Sequence, residues 1–287
     1  CISEKRGTEK RAVPEGHLVP QFGIEGDAHG GNWHRQVSLL SYDRVKAFNA
    51  RGANVQDGAF GENLVVEGID FSALPVGTRL LVNEAELEMT QIGKECHSHC
   101  AIYQRMGECI MPTQGVFARV IREGWVRPGD KLQVLLPDPE RPFTAAVIVL
   151  SDKGAAGERK DESGPAAREI LEKAGYQVEE TLLLPDEPEV LKQQLIRLAD
   201  SRQLDLVVTS GGTGFSLRDQ TPEATMAVAE RNAPGIAEYI RYRSMEVTSR
   251  AILGRGVSVI RKKTLIVNLP GSPKAVRESL KSEAKRS

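Results

Sequence analysis

The residues best suited to chemistry run from Thr209 to Glu223, Thr-Ser-Gly-Gly-Thr-Gly-Phe-Ser-Leu-Arg-Asp-Gln-Thr-Pro-Glu. A buried-type strand, Leu204-Asp-Leu-Val-Val-Thr209, feeds the glycines. Glycine lets backbone N–H groups close on an anion with no Cβ in the way. Arg218 and Asp219 follow, and Thr221-Pro222-Glu223 reads as a helix start whose N-terminus would add partial positive charge. Asp219 is a hard oxygen donor of the kind magnesium takes. The stretch is expected to hold a phosphate and, with it, a metal ion.

The elements around this loop set what else can reach it. Pro137-Asp-Pro-Glu-Arg-Pro-Phe143 packs three prolines into seven residues and reads as a junction. It divides the chain into residues 1–138, a linker at 139–143, and residues 144–287. After the linker the rhythm is strand, loop, helix. Ala145–Leu150 is a continuous apolar run, as in a strand covered on both faces. A long polar loop follows, and then a helix with Pro165 at its start and Ile170, Leu171 and Ala174 on one face. Thr181–Leu184, Leu204–Thr209 and Thr264–Asn268 read as further strands. Between the first two of these, a helix after Pro188 carries Leu191, Leu195 and Leu198. This alternation predicts an α/β domain with a mostly parallel sheet and helices on both faces.

Ligands bind outside the carboxyl ends of such strands. Here those ends carry Ser151-Asp152-Lys153-Gly154, Pro185-Asp186-Glu187, Ser210-Gly211-Gly212-Thr213-Gly214 and Pro270-Gly271-Ser272-Pro273. One rim would then hold backbone donors, hydroxyls, the carboxylates Asp186 and Asp219, and the cations Lys153, Arg218 and Lys274. That inventory suits phosphoryl or nucleotidyl transfer, which needs in-line positioning and neutralised phosphate oxygens more than a covalent nucleophile. Magnesium on the carboxylates would bridge phosphates and stabilise a pyrophosphate leaving group. Each piece alone has a plainer reading. The glycines are a turn, Asp186 a helix cap before Glu187-Pro188, and Lys153 and Lys274 solvated surface charges. Their recurrence at four successive strand ends favours a site. The loop is neither a Walker loop nor a dinucleotide Gly-x-Gly-x-x-Gly, so spacing leaves the substrate open.

The first half is written differently. Val37-Ser-Leu-Leu, Asn63-Leu-Val-Val, Arg79-Leu-Leu-Val, Ala85–Met89 and Lys131-Leu-Gln-Val-Leu-Leu read as short strands, with a hairpin at Asn83-Glu84 and one helix over Ser41–Asn49. Many short strands with glycine turns predict a β-barrel or sandwich. Gly93-Lys-Glu-Cys-His-Ser-His-Cys100 concentrates chemistry. Cys96, Cys100, His97 and His99 could bind zinc, although zinc sites usually draw ligand pairs from separated segments. Alternatively Cys96 is a reactive thiol beside Lys94 and His97, or a buried cysteine among surface histidines.

Composition narrows the classes. The 287 residues are 40% hydrophobic and 27% charged with net charge -1, an ordinary soluble globular balance. No basic run is interleaved with aromatics, which argues against nucleic acid. No apolar stretch approaches the ~20 residues of a membrane span. Four cysteines in a chain this long do not make a disulfide framework, which points to the cytoplasm. The chain opens on Cys1, so part of a first strand, or a leader, is expected to precede it; its last helix stops at Lys285-Arg-Ser287.

Residues 144–287 resemble the molybdopterin adenylyltransferase family of MogA/MoaB type. The match runs through Ser151-Asp-Lys, Asp161-Glu-Ser163-Gly-Pro165, Pro185-Asp-Glu, Ser210-Gly-Gly-Thr-Gly with Arg218-Asp-Gln-Thr-Pro-Glu223, and Asn268-Leu-Pro-Gly-Ser-Pro-Lys274. The resemblance implies that the terminal phosphate of molybdopterin attacks the α-phosphate of ATP in the presence of Mg2+. The products are adenylylated molybdopterin and pyrophosphate. Asp186 and Asp219 fall on the family's two important aspartates, the glycine loop on its pterin or phosphate loop, and Ser272 on a matching binding loop. Ser151, Asp152, Lys153, Asp161, Ser163, Ser210, Thr213, Arg218, Thr221, Glu223, Pro270 and Lys274 complete the implied substrate-binding set. A homotrimer, and a molybdate-inserting enzyme as partner, are implied with it. Relatives usually continue beyond the point where this chain ends.

Residues 1–136 resemble the MOSC family, related to the C-terminal part of molybdenum cofactor sulfurase. The match uses Gly26-Asp-Ala-His29-Gly, Arg35-Gln-Val-Ser-Leu, Gly58-Ala-Phe-Gly-Glu-Asn63, Leu74-Pro-Val-Gly77, Ile92-Gly-Lys94-Glu-Cys96 and Gly115-Val-Phe-Ala-Arg119. It implies a β-barrel in which Cys96, with Lys94, His97, His29, Arg35 and Asn63, handles sulfur or the molybdenum cofactor. Together the resemblances describe a bifunctional enzyme of molybdenum cofactor biosynthesis. The alternatives are a cofactor carrier or scaffold without turnover, and a MOSC-based molybdenum reductase of N-hydroxylated compounds.

Overall fold

A computed structural model describes residues 1–94 and 100–281. The chain separates into two compact units, Cys1–Pro139 and Glu140–Ser287.

The first unit has two sheets. The six-stranded one runs in the order Leu64–Val66, Val37–Ser41, Val116–Arg122, Ala85–Ile92, Arg79–Val82, Leu132–Leu135. Its neighbours are antiparallel apart from the parallel pair Val37–Ser41 and Leu64–Val66. A three-stranded antiparallel sheet joins Gly23–Ile24, Gly16–Val19 and Gly124–Val126. Period-two patterning explains how they share a core. Ala85, Leu87 and Met89 are buried against Leu18, Ile24, Val37, Leu39 and Val126, while Glu86 and Glu88 face outward to pair with Arg79 and Arg119. The predicted hairpin is present, and Asn83 takes the left-handed conformation, φ +53°, that its tight turn requires. The helix Tyr42–Ala50 buries Val45 and Phe48 against Leu40 and Phe117 on a second, smaller core.

The second unit carries a six-stranded sheet in the order Gln177–Leu184, Thr144–Leu150, Leu206–Ser210, Thr264–Leu269, Ser258–Arg261, Arg231–Asn232. The first four strands are parallel and the last two add antiparallel. Thr144–Leu150 shows why the central strand reads as an unbroken apolar run. Ala145, Val147 and Val149 pack under the helices Ser163–Lys173, Pro234–Met245 and Pro273–Lys281, while Ala146, Ile148 and Leu150 pack under Pro188–Ile196 and Thr221–Ala227. Both faces are covered, so both residue parities must be apolar.

Three details differ from the expectation. The segment after the first strand is not all loop, because Ser151 Oγ accepts from Gly154 N at 3.1 Å and caps a turn of helix over Asp152–Ala155. The next helix starts at Ser163, two residues before Pro165, since Asp161 Oδ1 accepts from the N–H groups of Ser163 (2.9 Å) and Gly164 (3.1 Å). Finally, the helix at Thr221 is only Thr221–Ala227, about two turns, so it offers a weaker macrodipole than a long helix would. Among the described residues no helix is long and apolar enough to cross a membrane.

Candidate functional site

The strand order places Thr144–Leu150 between Gln177–Leu184 and Leu206–Ser210. The chain therefore leaves Thr144–Leu150 to one side and returns on the other. At such a switch point the loops beyond the strand ends diverge and leave a crevice. A cavity of about 640 Å³ opens there, lined by Ser151, Asp186, Gly211, Gly212, Asp219 and Ser272 among others. The four strand-end loops picked out by sequence thus contribute to one space.

The glycine loop is held by close packing. Gly211 has φ +111°, and a Cβ there would lie 2.4 Å from the Leu150 carbonyl oxygen. Gly212 has φ +62°, and its Cβ would lie 2.3 Å from Thr221 Oγ1. A residue with a side chain can enter neither position without moving the neighbouring strand end or helix start. Gly211→Ala is expected to lower stability by ~1–3 kcal/mol, read as a fall in the melting temperature, with loss of ligand affinity beyond that of the folded fraction. Unchanged melting and binding would contradict the packing.

Asp186 and Asp152 are tied reciprocally: Asp186 Oδ2 accepts from Asp152 N at 3.0 Å, and Asp152 Oδ1 accepts from Asp186 N at 2.9 Å. Arg218 donates to both oxygens of Asp152 at 2.9 Å and to Glu187 at 2.9 Å. Burial pushes the Asp186 carboxyl up, and repulsion from Asp152 and Asp219 adds to it; the Asp152 N–H and Arg218 oppose the rise. Asp152 itself is held below its ordinary value by the Asp186 N–H and by Arg218. Asp219 faces the same cavity and accepts from Ser216 N at 2.9 Å.

The remaining sequence-selected residues divide by role. Ser163 Oγ donates to Gly271 O at 3.0 Å and Ser210 Oγ to Pro270 O at 3.0 Å, so both hydroxyls pin the Pro270–Ser272 loop. Asp161 caps a helix while also lining the cavity. Thr213, Gly214 and Pro270 face a second cavity of about 510 Å³ on the other side of the glycine loop, which shares Gly212, Asp219 and Gly271 with the first. Lys153 and Lys274 are exposed and line neither cavity; Lys274 points at Glu278, 3.9 Å away on its own helix.

Sequence reading missed three cations. Arg159 and Lys160 line the main cavity, and Arg159 donates to Ser151 Oγ at 3.2 Å. Arg255 clamps the glycine loop from outside. Its Nε donates to Gly214 O at 2.7 Å, its other nitrogens reach Asp219 O and Glu223, and its own N–H donates to Thr213 O at 3.1 Å. A lone arginine between glycines, 36 residues beyond Asp219, carries no local signal. Glu223 is consequently a partner of Arg255 and not a cavity-facing group.

In the first unit the selected residues gather around an unselected pair. Lys10 Nζ donates to Asp27 Oδ2 at 2.7 Å, with both side chains almost fully buried. Asn63 Nδ2 (2.9 Å) and Ser3 N (3.0 Å) also donate to Asp27. His29 Nδ1 lies 3.6 Å from the other Asp27 oxygen. Burial, then the charge of Lys10, pushes the His29 imidazole down; Lys94 is near enough to act the same way. Arg35 lies 4.8 Å over the Trp33 ring and 5.6 Å over Phe117, beside this cluster in sequence. Cys96 and His97, with the proposed zinc ligand His99, lie outside the described residues. Among the described residues no group of three or more His, Cys, Asp or Glu side chains forms a metal cage.

Two family models match the chain: one described as a probable molybdopterin binding domain over residues 146–286, and the MOSC domain over residues 25–133. The molybdopterin adenylyltransferase of Haemophilus influenzae is 45% identical over 137 residues, spanning 47% of this chain and 69% of that protein. The chain belongs to the MogA/MoaB-type molybdopterin adenylyltransferase family. The Escherichia coli K12 molybdopterin adenylyltransferase is 44% identical over 137 residues, covering 47% of this chain and 70% of its own. A crystal structure of the molybdopterin biosynthesis enzyme MoaB from Thermus thermophilus aligns with TM-score 0.47 and 46% identity over 49% of this chain and 88% of that one. The MogA/MoaB-type domain thus coincides with the unit that holds the cavity, and the MOSC domain with the unit that holds the Lys10–Asp27 cluster.

Proposed function

We propose that the second unit transfers the adenylyl group of ATP to the terminal phosphate of molybdopterin and releases pyrophosphate. The observation that carries this reading is the convergence of Asp186, Asp219 and the Gly211-Gly212 turn on one cavity at the sheet's switch point. The glycine turn offers room for phosphate oxygens to approach backbone, and Arg159 and Lys160 bring positive charge to the same walls. Two carboxylates on one cavity suit Mg2+, which keeps several waters and binds through one or two carboxylates plus substrate phosphates. Asp186 and Asp219 would hold it, and when bound it neutralises phosphate charge and stabilises the leaving group. The reciprocal Asp152–Asp186 hydrogen bonds fix the Asp186 backbone, Arg255 fixes that of Asp219, and the Ser163 and Ser210 hydroxyls fix the opposing loop that carries Ser272. Rate enhancement would come from positioning and charge stabilisation.

The MOSC unit, which we take to be a closed barrel, would bind or modify the molybdenum cofactor or handle sulfur, with Cys96, Lys94, His97, His29, Arg35 and Asn63 as its candidate residues. The exposed apolar side chains Tyr242, Val247, Ile252 and Leu253 on and after the helix Pro234–Met245 support self-association, for which we propose a homotrimer. The cytoplasm is the proposed location and a molybdate-inserting enzyme the proposed partner.

The test is incubation of purified protein with molybdopterin and ATP, with and without Mg2+. Adenylylated molybdopterin and stoichiometric pyrophosphate are expected only with the metal. Binding of molybdopterin with no pyrophosphate released would favour a carrier instead.

A further inference from the structure

The loop between Ala155 and the helix Ser163–Lys173 brings Arg159 and Lys160 into the wall of the main cavity. It is anchored at both ends. Glu158 N (2.8 Å) and Arg159 N (3.2 Å) both donate to Lys153 O, and Asp161 caps the helix that follows. The Arg159 guanidinium is anchored as well, because it donates to Ser151 Oγ at 3.2 Å. Ser151 follows the strand Thr144–Leu150, which lies between the strand leading to Asp186 and the strand leading to Gly211. The guanidinium is therefore held beside the strand end that separates Asp186 from the glycine turn.

Ser151 Oγ also accepts from Gly154 N at 3.1 Å. Both acceptor sites of the hydroxyl are then taken, so what it has left to offer a ligand is its proton. Arg159 keeps further N–H donors, set in a planar fork that matches phosphate oxygens. Among the described residues no carboxylate pairs with Arg159, whereas Arg218 is taken by Asp152 and Glu187, and Arg255 by Glu223. The cavity wall carries the carboxylates of Asp161, Glu162, Asp186 and Asp219, and among its described residues only Arg159 and Lys160 oppose them. Such a wall repels a polyanion unless a metal and these two cations meet it.

We propose that Arg159, together with the Ser151 hydroxyl, binds the β- and γ-phosphates of ATP and so selects a nucleoside triphosphate. The inference rests on the reading of this cavity as the adenylyl-transfer site. In that reaction an oxygen of the pterin's phosphate forms the new bond to the α-phosphorus. The bond from that phosphorus to the bridging oxygen breaks, and its electron pair leaves with pyrophosphate. Most of the negative charge of ATP lies on the β- and γ-phosphates before the step, and the departing group gains more during it. A fixed cation contributes most where charge develops. Asp186 and Asp219 serve the reacting phosphate through the metal; Arg159 serves the part that departs.

The test is isothermal titration calorimetry on the full chain in Mg2+, with ATP, inorganic pyrophosphate and AMP as ligands. Arg159→Met is expected to bind ATP and pyrophosphate about 10- to 100-fold more weakly, the scale of hydrogen bonds to a charged group. It should bind AMP as wild type does. Arg159 is exposed, so the variant should also melt with wild type. Glu158→Gln removes a charge of the other sign from the same loop, at a residue that does not line the cavity, and should leave every affinity unchanged. No pyrophosphate binding by wild type, or binding that survives unchanged in Arg159→Met, would overturn the proposal. So would a loss as large for AMP as for ATP, which would move Arg159 to the α-phosphate. A matching gain of affinity in Glu158→Gln would make Arg159 a distant charge and reject the contact. Binding is read without turnover. Wild type that binds pyrophosphate through Arg159 but forms no adenylylated molybdopterin would sink the proposed function and leave this inference standing. Adenylylation alongside pyrophosphate binding that ignores Arg159 would do the reverse.

Discussion

Asp186→Asn combined with Asp219→Asn is expected to abolish adenylylation while the protein melts at or above the wild-type temperature. Each single change should lower kcat by ~10²–10³, the scale of removing one preorganised charge-stabilising group. The double variant should fall little further than the worse single, because residues acting as a unit are not additive. The stability half follows from the sign of the Asp186 shift. Burial, then repulsion from Asp152 and Asp219, raises its carboxyl above the ordinary value. A raised folded value means that the neutral form is favoured by the fold. The stability it contributes is present below the ordinary carboxylate range and is lost as pH rises through the folded value. At neutral pH the ionised group therefore works against the fold. Asparagine keeps the shape and the acceptor for Asp152 N and removes the charge. Activity lost together with melting temperature would mean that the aspartates are structural. Activity retained in the double variant would reject them as the reacting pair.

How much of this site is legible without coordinates depends on what each residue does. Gly211, Gly212 and Asp186 could be picked out because they sit at strand ends, and Asp219 because it lies in the loop that follows one; strand ends are fixed by apolar runs as plain as Ala145–Leu150. Position along the sheet is thus written locally, and parallel pairing converts it into convergence. Arg255, Arg159 and Lys160 were not picked out. Their roles depend on where a loop folds back, and no period of two or 3.6 encodes that. Lys153 and Lys274 show the converse: a cation beside a motif is near in sequence, yet its side chain leaves for solvent. Ser258–Arg261 and the edge strand Arg231–Asn232 escaped notice because they are short and at least half polar. In the first unit the residues Gly26 to Gly30 attracted attention through His29, whereas the structure makes Asp27 the centre. A buried carboxylate cannot be told from an exposed one until its counter-ion, Lys10, is brought from 17 residues away.

That buried pair carries the other large effect. Asp27→Asn should cost the MOSC unit ~3–5 kcal/mol, because breaking a buried pair leaves the remaining charge, here Lys10, uncompensated. The two partners give opposite accounts of the pair. Burial lowers the Lys10 ammonium more than Asp27 restores it, as if the charge were unwelcome. For Asp27, burial would raise the carboxyl, but Lys10, Asn63 and Ser3 together reverse this and hold it well below its ordinary value. The geometry decides for the charged pair, since 2.7 Å between two almost fully buried groups, with further donors on the carboxylate, is a complete hydrogen-bonded arrangement. The pH dependence follows. A depressed carboxylate contributes stability above its unfolded value, near 3.8, and loses it as pH falls through the lower folded value. Wild-type stability should therefore drop below about pH 4, and Asp27→Asn should be flatter over the same window. Both tryptophans, Trp33 and Trp125, belong to this unit, so their fluorescence follows its unfolding in urea without a contribution from the other. Lys10→Met added to Asp27→Asn should recover part of the loss, because it removes the stranded charge. Strict additivity of the two changes would mean that the pair does not couple. A loss under ~1 kcal/mol for Asp27→Asn would place the interaction with ordinary surface salt bridges.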